Sequence, residues 1–129
     1  MGDLGEFAGQ ICESIGKNTG HIAAICDRDA IIAVHGVPKR ELADKRCSQE
    51  LEQLMELRRG YRHQAGDLLL HPTDAADRYH IGVAAPIVAE GDLMGCVMLL
   101  LEDGAPELGE GEQKLVQTVA SFLSRQMES

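Results

Sequence analysis

The residues of this sequence best suited to chemistry are its four cysteines and five histidines. Cys26 and His35 lie near the two ends of ICDRDAIIAVH, in which two apolar runs flank Asp-Arg-Asp. A cysteine next to a histidine is a candidate nucleophile, because a nearby base favours the thiolate. Asp-Arg-Asp is typical of a hairpin turn, however, and that turn pairs Cys26 near Ala30, far from His35. We therefore predict that the two do not interact, and we assign no catalytic residue.

The other cysteines offer little more for catalysis or metal binding. Cys12 and Cys96 lie in apolar runs, where a thiol is usually buried and unreactive. Cys47 comes just before Ser48, a predicted helix start, and a helix N-terminus favours the thiolate. No cysteine or histidine pair has the spacing of metal ligands, so we expect no metal and no cofactor. Without an export signal, we expect reduced thiols and a cytoplasmic protein.

Length and charge narrow the class of protein. The chain has 129 residues, which suits a single domain over 1–129. Its net charge of −9, from 21 acidic and 12 basic residues, argues against a nucleic-acid surface, which needs many Lys and Arg. No apolar run approaches the roughly 20 residues of a membrane span, so we expect no membrane partner.

The order of apolar patterns predicts an α+β fold. A first helix, with Asp3 as its expected cap, precedes the hairpin, and a helix beginning after Ser48 follows it. DLLLH at 67–71 is expected to be a strand, and YHIGVAAPIVA and LMGCVMLLL a long hairpin. GEGEQKLVQTVASFLSRQM is the last helix. Strands joined by short turns indicate an antiparallel sheet.

Two details of the long hairpin lead to sharper predictions. Strict alternation would place one set of its first-strand side chains on a single face: Tyr79, Ile81, Val83, Ala85 and Ile87. Gly95, in the second strand, indicates a close approach of a neighbouring backbone.

The terminal helices predict self-association. The apolar sector of the last helix is wider than one sheet face needs, and large exposed apolar patches are rare in monomers. We therefore predict a homodimer or tetramer formed through the terminal helices. The expected interface residues are Leu4, Phe7, Ile11, Leu115, Val119, Phe122, Leu123 and Met127.

One segment, PIVAEGDLMGCVML, resembles the end of a GAF domain, a small-molecule-sensing fold. Four segments, GDLGEFA, ICDRDAIIAVHGVPKRELADK, GVAAPIVAEGDLMGCVML and FLSRQME, are similar in order to the C-terminal half of the stage V sporulation protein T family. The resemblance implies a GAF-like antiparallel sheet of five to six strands, with the terminal helices on one face and pocket helices and loops on the other. It also implies transcription regulation and signalling in spore-forming bacteria, with DNA bound only by an N-terminal swapped-hairpin (AbrB-type) domain absent from this chain.

The same resemblance implies a pocket for an unidentified small-molecule effector. The residues expected to reach that pocket are His35, Arg59, His71, Tyr79 and His80, with His63 nearby. Two other interpretations stay open at this stage. The chain could be a purely structural dimerisation module without a ligand, or a thiol-dependent reductase like some GAF-fold enzymes that reduce free methionine sulfoxide.

Overall fold

A computed structural model describes residues 4–128, so the predicted cap Asp3 lies outside the described residues. The elements in chain order are α1 (Leu4–Thr19), β1 (Ile22–Asp27), β2 (Ile31–His35), α2 (Lys39–Leu42), α3 (Gln49–Glu56), β3 (Tyr61–Arg62), β4 (Tyr79–Ala89), β5 (Asp92–Glu102) and α4 (Glu110–Met127).

The five strands form one antiparallel sheet in the order β2-β1-β5-β4-β3. The predicted α+β class and antiparallel sheet are confirmed. The hairpin prediction is also confirmed, because Cys26 pairs with Ile31 whereas His35 pairs with Ala23 at the other end of β1.

The sheet separates two apolar cores. The core beneath α1 and α4 contains Leu4, Ala8, Cys12, Ile15, Ala23, Ile25, Val83, Ala85, Ile87, Val97, Leu99, Val116, Ala120 and Leu123, among others. The core beneath α2 and α3 contains Cys26, Ile31, Leu42, Cys47, Leu51, Leu54, Met55, Tyr79, Ile81, Cys96, Met98 and Leu100, among others. The terminal helices therefore lie on one face and the intervening helices on the other, as predicted.

The prediction of a strand over 67–71 is wrong. Leu68 and Leu69 are 85% and 42% exposed, and the segment's main-chain bond to β4 runs from the Ile81 amide to the Leu70 carbonyl, at 2.8 Å. The edge of β4 is instead covered by β3 and by the His63 amide, which donates to the Gly82 carbonyl at 2.8 Å. Residues 67–71 are therefore a loop that contacts the edge of β4 through one hydrogen bond rather than a paired strand.

Strict alternation along β4 is also wrong. A register shift between Ile81 and Val83 inserts Gly82 as an extra residue, which is the pattern of a β-bulge. Tyr79 therefore packs beneath α3 while Val83 packs beneath the terminal helices. A Cβ on Gly82 would lie 2.8 Å from Leu108 Cδ1, so a larger residue at the bulge requires the flexible Leu108 side chain to move.

The predicted close approach at Gly95 is confirmed. Gly95 pairs with Asp27 of β1, and a Cβ on this residue would overlap the carbonyl oxygen of Cys26. Backbone atoms cannot move aside as a flexible side chain does, so β1 and β5 reach this spacing only with glycine here.

Candidate functional site

An open cleft of about 390 Å³ lies beside α3, on the sheet face opposite the terminal helices. Its lining residues come from the β1–β2 turn, from α3 and from the start of β5: Arg28, Asp29, Glu52, Met55, Glu56 and Leu93. This size falls within the roughly 300–1,000 Å³ that is typical of small-molecule sites.

The β1–β2 turn is held by a single carboxylate. Asp27 Oδ1 accepts hydrogen bonds from the amides of Asp29 and Ala30, both at 2.8 Å. An aspartate that bonds to the backbone after it in this way stabilises a tight turn. The turn in consequence presents Arg28 and Asp29 at the rim of the cleft.

Helix α3 forms the opposite wall, and Ser48 sets where it begins. Ser48 Oγ accepts from the Leu51 amide at 3.0 Å and donates to the His71 carbonyl at 2.6 Å. The first bond is an N-cap, and the second ties the helix to the loop before β4. Residues three and four apart share a helix face, so Met55 and Glu56 line the cleft together with Glu52.

The cleft has an apolar floor and a charged rim. Met55 and Leu93 are 1% and 5% exposed, whereas three carboxylates and one guanidinium surround the opening. A negative rim over an apolar floor suits a small molecule that has a cationic group and an apolar part. Sequence reasoning missed this site, although acidic residues four apart on α3 facing an Asp-Arg-Asp turn were visible in the sequence.

The five predicted ligand-binding residues do not come together. His35 packs against Gly16 of α1, on the terminal-helix face, where a Cβ on Gly16 would overlap its ring. Arg59 lines a groove of about 260 Å³ that also includes Ser121 and Ser124 of α4. His71 holds the start of α3 through its backbone, since its amide also donates to Glu50 Oε2 at 3.3 Å.

Tyr79 is buried beneath α3, and its hydroxyl donates to Glu41 Oε2 at 2.6 Å. This hydrogen bond and burial raise the pKa of Tyr79. Arg78 pairs with Glu41 Oε1 at 3.0 Å, so the same carboxylate holds two neighbouring residues. Tyr79 therefore fixes α2 to β4 and fills part of the core beneath α3.

His80 lies at the opposite face, in a cavity of about 170 Å³ beneath the loop before α4. Its ring centroid is 5.2 Å from that of His63, and its Nδ1 is 3.7 Å from Asp103 Oδ1. Nδ1 is buried without a hydrogen-bond partner. Burial, and then the neighbouring His63, lower the pKa of His80, an effect that Asp103 partly opposes.

The predicted interface residues differ in how far a single chain exposes them. Leu4 and Leu123 are only 5% and 0% exposed, because they belong to the core beneath the terminal helices. Phe122 is 50% exposed. The others are partly buried at the edge of that core: Phe7, Ile11, Leu115, Val119 and Met127.

Residues 4–128 contain neither a metal-binding cluster nor a membrane-spanning helix. Across this range the histidines, cysteines and carboxylates form no group of three or more that could hold a metal ion. Within the same range, none of the helices has both the length and the apolar character needed to cross a membrane.

Comparison with known proteins identifies related sequences. The profile of a family described as "Stage V sporulation protein T C-terminal, transcription factor" matches residues 3–128. Stage V sporulation protein T of Bacillus subtilis (strain 168) is 36% identical over 131 aligned positions, which cover 99% of this chain and 71% of the relative.

Solved structures share the fold at low sequence identity. The GAF domain of an Acinetobacter phosphoenolpyruvate-protein phosphotransferase aligns with a TM-score of 0.73 and 10% identity, over 97% of this chain and 82% of that one. The cofactor-binding GAF domain of the nutrient sensor CodY from Clostridium difficile aligns with a TM-score of 0.62 and 12% identity, over 97% and 84%. The architecture described above is therefore a GAF fold.

Proposed function

This chain belongs to the stage V sporulation protein T C-terminal family of transcription factors, and we propose that it is a ligand-sensing and oligomerisation module. In this proposal residues 1–129 are one regulatory domain without enzymatic turnover. The domain detects a small molecule in the cleft beside α3 and associates with further copies through its terminal helices. The cleft is the observation that carries the proposal.

The ligand class follows from the residues of the cleft. Three carboxylates outnumber the one guanidinium, so a bound molecule gains most from a cationic group such as an ammonium. Arg28 can pair with a carboxylate on the same molecule, and Met55 and Leu93 can contact an apolar side chain. A small zwitterion with an apolar part, or a short aliphatic amine, fits these features.

The sheet offers a route from the cleft to the terminal helices. β1 contributes Cys26 to the core beneath α3 and Ile25, the preceding residue, to the core beneath α1 and α4. A shift of β1 or β5 on ligand binding therefore moves side chains in both cores, because packed interiors transmit small displacements. The result proposed here is altered packing of α1 and α4 and hence altered association.

Self-association is supported by the outer edges of α1 and α4. Phe122 is half exposed, and five partly buried apolar residues surround the same core. We assign these six to a homodimer or tetramer contact, and leave Leu4 and Leu123 to the core of each copy.

DNA binding belongs, in this proposal, to a domain outside this sequence. The chain carries a net charge of −9, which repels phosphate, whereas its family is described as transcription factors. A transcription regulator of this kind works in the cytoplasm, where we place the protein.

Native mass spectrometry of gently purified protein is the first test, because a retained ligand adds mass to the chain. Calorimetric titration with the common L-amino acids and short aliphatic amines then identifies the ligand class. Replacing Glu52 by Gln should weaken binding about tenfold, the equivalent of one lost charge contact. Glu13→Gln, on α1 at the other face, should leave binding unchanged. Equal affinity in both variants would place the ligand elsewhere.

A second function has its own supporting observation. Tyr79, Met55 and Met98 are among the fully buried side chains that fill the space between the sheet and α3. A filled interior suits a module that only sets the spacing between copies. Stable association by sedimentation, together with no retained mass and no heat from any titrant, would favour this structural role.

A further inference from the structure

Three of the four cysteines lie together in the core beneath α3. Cys26, Cys47 and Cys96 belong to that core, whereas Cys12 belongs to the core beneath the terminal helices. All four are free and buried. The sequence spreads these three over seventy positions, and the fold alone brings them together.

The sheet and a short additional pairing position the three thiols. Cys26 on β1 stands directly opposite Cys96 on β5. The segment before α3 runs antiparallel to the β1–β2 turn, because the Cys47 amide donates to the Asp29 carbonyl at 2.9 Å and Ala30 bridges Arg46. Cys47 Sγ is in consequence 3.7 Å from the carbonyl oxygen of Asp27, the residue after Cys26.

The environments of these thiols differ. The neighbouring Cys26 thiol lowers the pKa of Cys47, an effect that burial and three nearby carboxylates oppose. Cys47 and burial in turn raise the pKa of Cys26. Burial raises the pKa of Cys96 and that of Cys12 to about 12. Cys47 is also 8% exposed, whereas Cys26 and Cys96 are fully enclosed.

We infer that Cys47 and Cys26 form an oxidant-reactive pair, in which Cys47 reacts with a hydroperoxide and Cys26 closes a disulfide with it. Cys47, the less enclosed member of the pair, reacts first, and Cys26 is the adjacent thiol needed to resolve it. Cys96 lies behind Cys26 on the next strand and takes no part. This inference is independent of any ligand in the cleft.

The reaction proceeds in two balanced steps. Cys47 thiolate attacks one peroxide oxygen, an S–O bond forms as the O–O bond breaks, and the departing alkoxide takes up a proton. The Cys47 sulfur loses two electrons and becomes a sulfenic acid. Cys26 then loses its proton and attacks that sulfur, so an S–S bond forms and the S–O bond breaks with release of water. Overall, two thiols and one hydroperoxide give one disulfide, one alcohol and one water.

The disulfide would join the end of β1 to the residue before Ser48, the N-cap of α3. Met55, whose Sδ is 3.8 Å from Cys26 Sγ, lines the cleft, so the oxidised pair borders one wall of the cleft. Oxidation therefore alters the face of the sheet beneath α3, where the cleft lies.

Hydrogen peroxide on the reduced, folded chain tests the inference, with peptide mapping of disulfides and trapping of sulfenic acid by dimedone. We expect a Cys26–Cys47 disulfide, and oxidation of Cys47 at least about tenfold faster than that of Cys12, since one pKa unit changes the thiolate fraction tenfold. Cys26→Ser should abolish the disulfide and leave a dimedone adduct on Cys47. Cys47→Ser should abolish both products.

Cys12→Ser and Cys96→Ser are the matched controls, and each should retain the disulfide at the original rate. A disulfide that persists in Cys47→Ser would overturn the inference, because it would then join Cys26 to Cys96. Oxidation of Cys47 no faster than of Cys12 would overturn it equally. Thermal unfolding of each variant verifies that the serine replacements remain folded.

Discussion

The two faces of the sheet are built from different chemistry. The face beneath α1 and α4 is packed almost wholly by aliphatic side chains and one isolated cysteine, Cys12. The face beneath α2 and α3 contains three thiols, a buried serine cap and the buried tyrosine that bonds to Glu41, and it opens into the charged cleft. One face is therefore a closed apolar core, whereas the other combines buried polar groups with a charged cleft that is open to solvent.

The largest loss of stability is expected when a core side chain beneath α1 and α4 is removed. Leu123 is 0% exposed, so Leu123→Ala should lower the free energy of unfolding by about 2–5 kcal/mol, through lost burial and the cavity left behind. Chemical denaturation measures this change.

Phe122→Ala is the matched control on the same helix, because Phe122 is half exposed. It should cost the isolated chain less than about 1 kcal/mol while weakening association in sedimentation experiments. If Phe122→Ala destabilised the chain as much as Leu123→Ala, the division between core and outer edge of α4 would be wrong.

The second-largest loss of stability is expected in β5, the strand whose side chains pack into both cores. Gly95→Ala should destabilise the chain by about 1–3 kcal/mol, since the added Cβ overlaps the Cys26 carbonyl and the strands must separate. Gly9→Ala on α1 has open space around the new Cβ and should stabilise the helix by about 0.5–1 kcal/mol. The measurement is the midpoint of thermal unfolding. A neutral Gly95→Ala would contradict the close approach of β1 and β5.

The third prediction is that loss of the Ser48 cap destabilises α3 without destabilising α4. Ser48→Ala removes the N-cap of α3 and the bond to the His71 carbonyl, which should cost about 1–2 kcal/mol. Hydrogen exchange should accelerate over residues 49–56 and remain unchanged in α4. Ser14→Ala, on the exposed side of α1, is the control. Faster exchange in α4 as well would show that the Ser48 cap supports both faces of the sheet.

The smallest expected effect is a pH dependence of the free energy of unfolding, which arises from His80 at the edge of the face beneath α1 and α4. His80 has a pKa lowered from 6.5 in the folded chain, so the unfolded chain binds its proton more readily. The free energy of unfolding should therefore fall as pH decreases through 6.5, and level off below the folded pKa. The groups that act on His80 are His63, Asp103 and His71. His80→Asn should flatten this part of the pH profile, and an unchanged profile would assign the effect to another group.

Prediction from sequence succeeded where a pattern was local. The 3.6-residue period placed both terminal helices, Ser48 marked the start of α3, and Gly95 signalled a close backbone approach. Prediction from sequence failed where the structure of a segment depended on the strand beside it. The apolar residues at 67–71 are a loop, whereas Tyr61–Arg62 form the strand that pairs with β4. Alternation along β4 fails because Gly82 forms a bulge.

The candidate site was the least predictable part. The chemistry of histidines near strand ends predicts a site there, yet His35 lies against α1 and His80 against the loop before α4, on the other side of the sheet from the cleft. A polar residue at a strand end can face either side, and a single bulge reverses the choice for the residues beyond it. Sequence spacing alone does not contain that information.

What the sequence by itself determined was the class of fold, the antiparallel hairpins, the separation of Cys26 from His35 and the family. These depend on periodicity, turn residues and motifs, which are properties of neighbouring positions. Only the tertiary structure decided which side chains meet: the cleft formed by a turn and a helix, and the cluster of Cys26, Cys47 and Cys96. The physical reason is that strand register and sheet order bring together residues far apart in the chain, and packing across the whole sheet sets both.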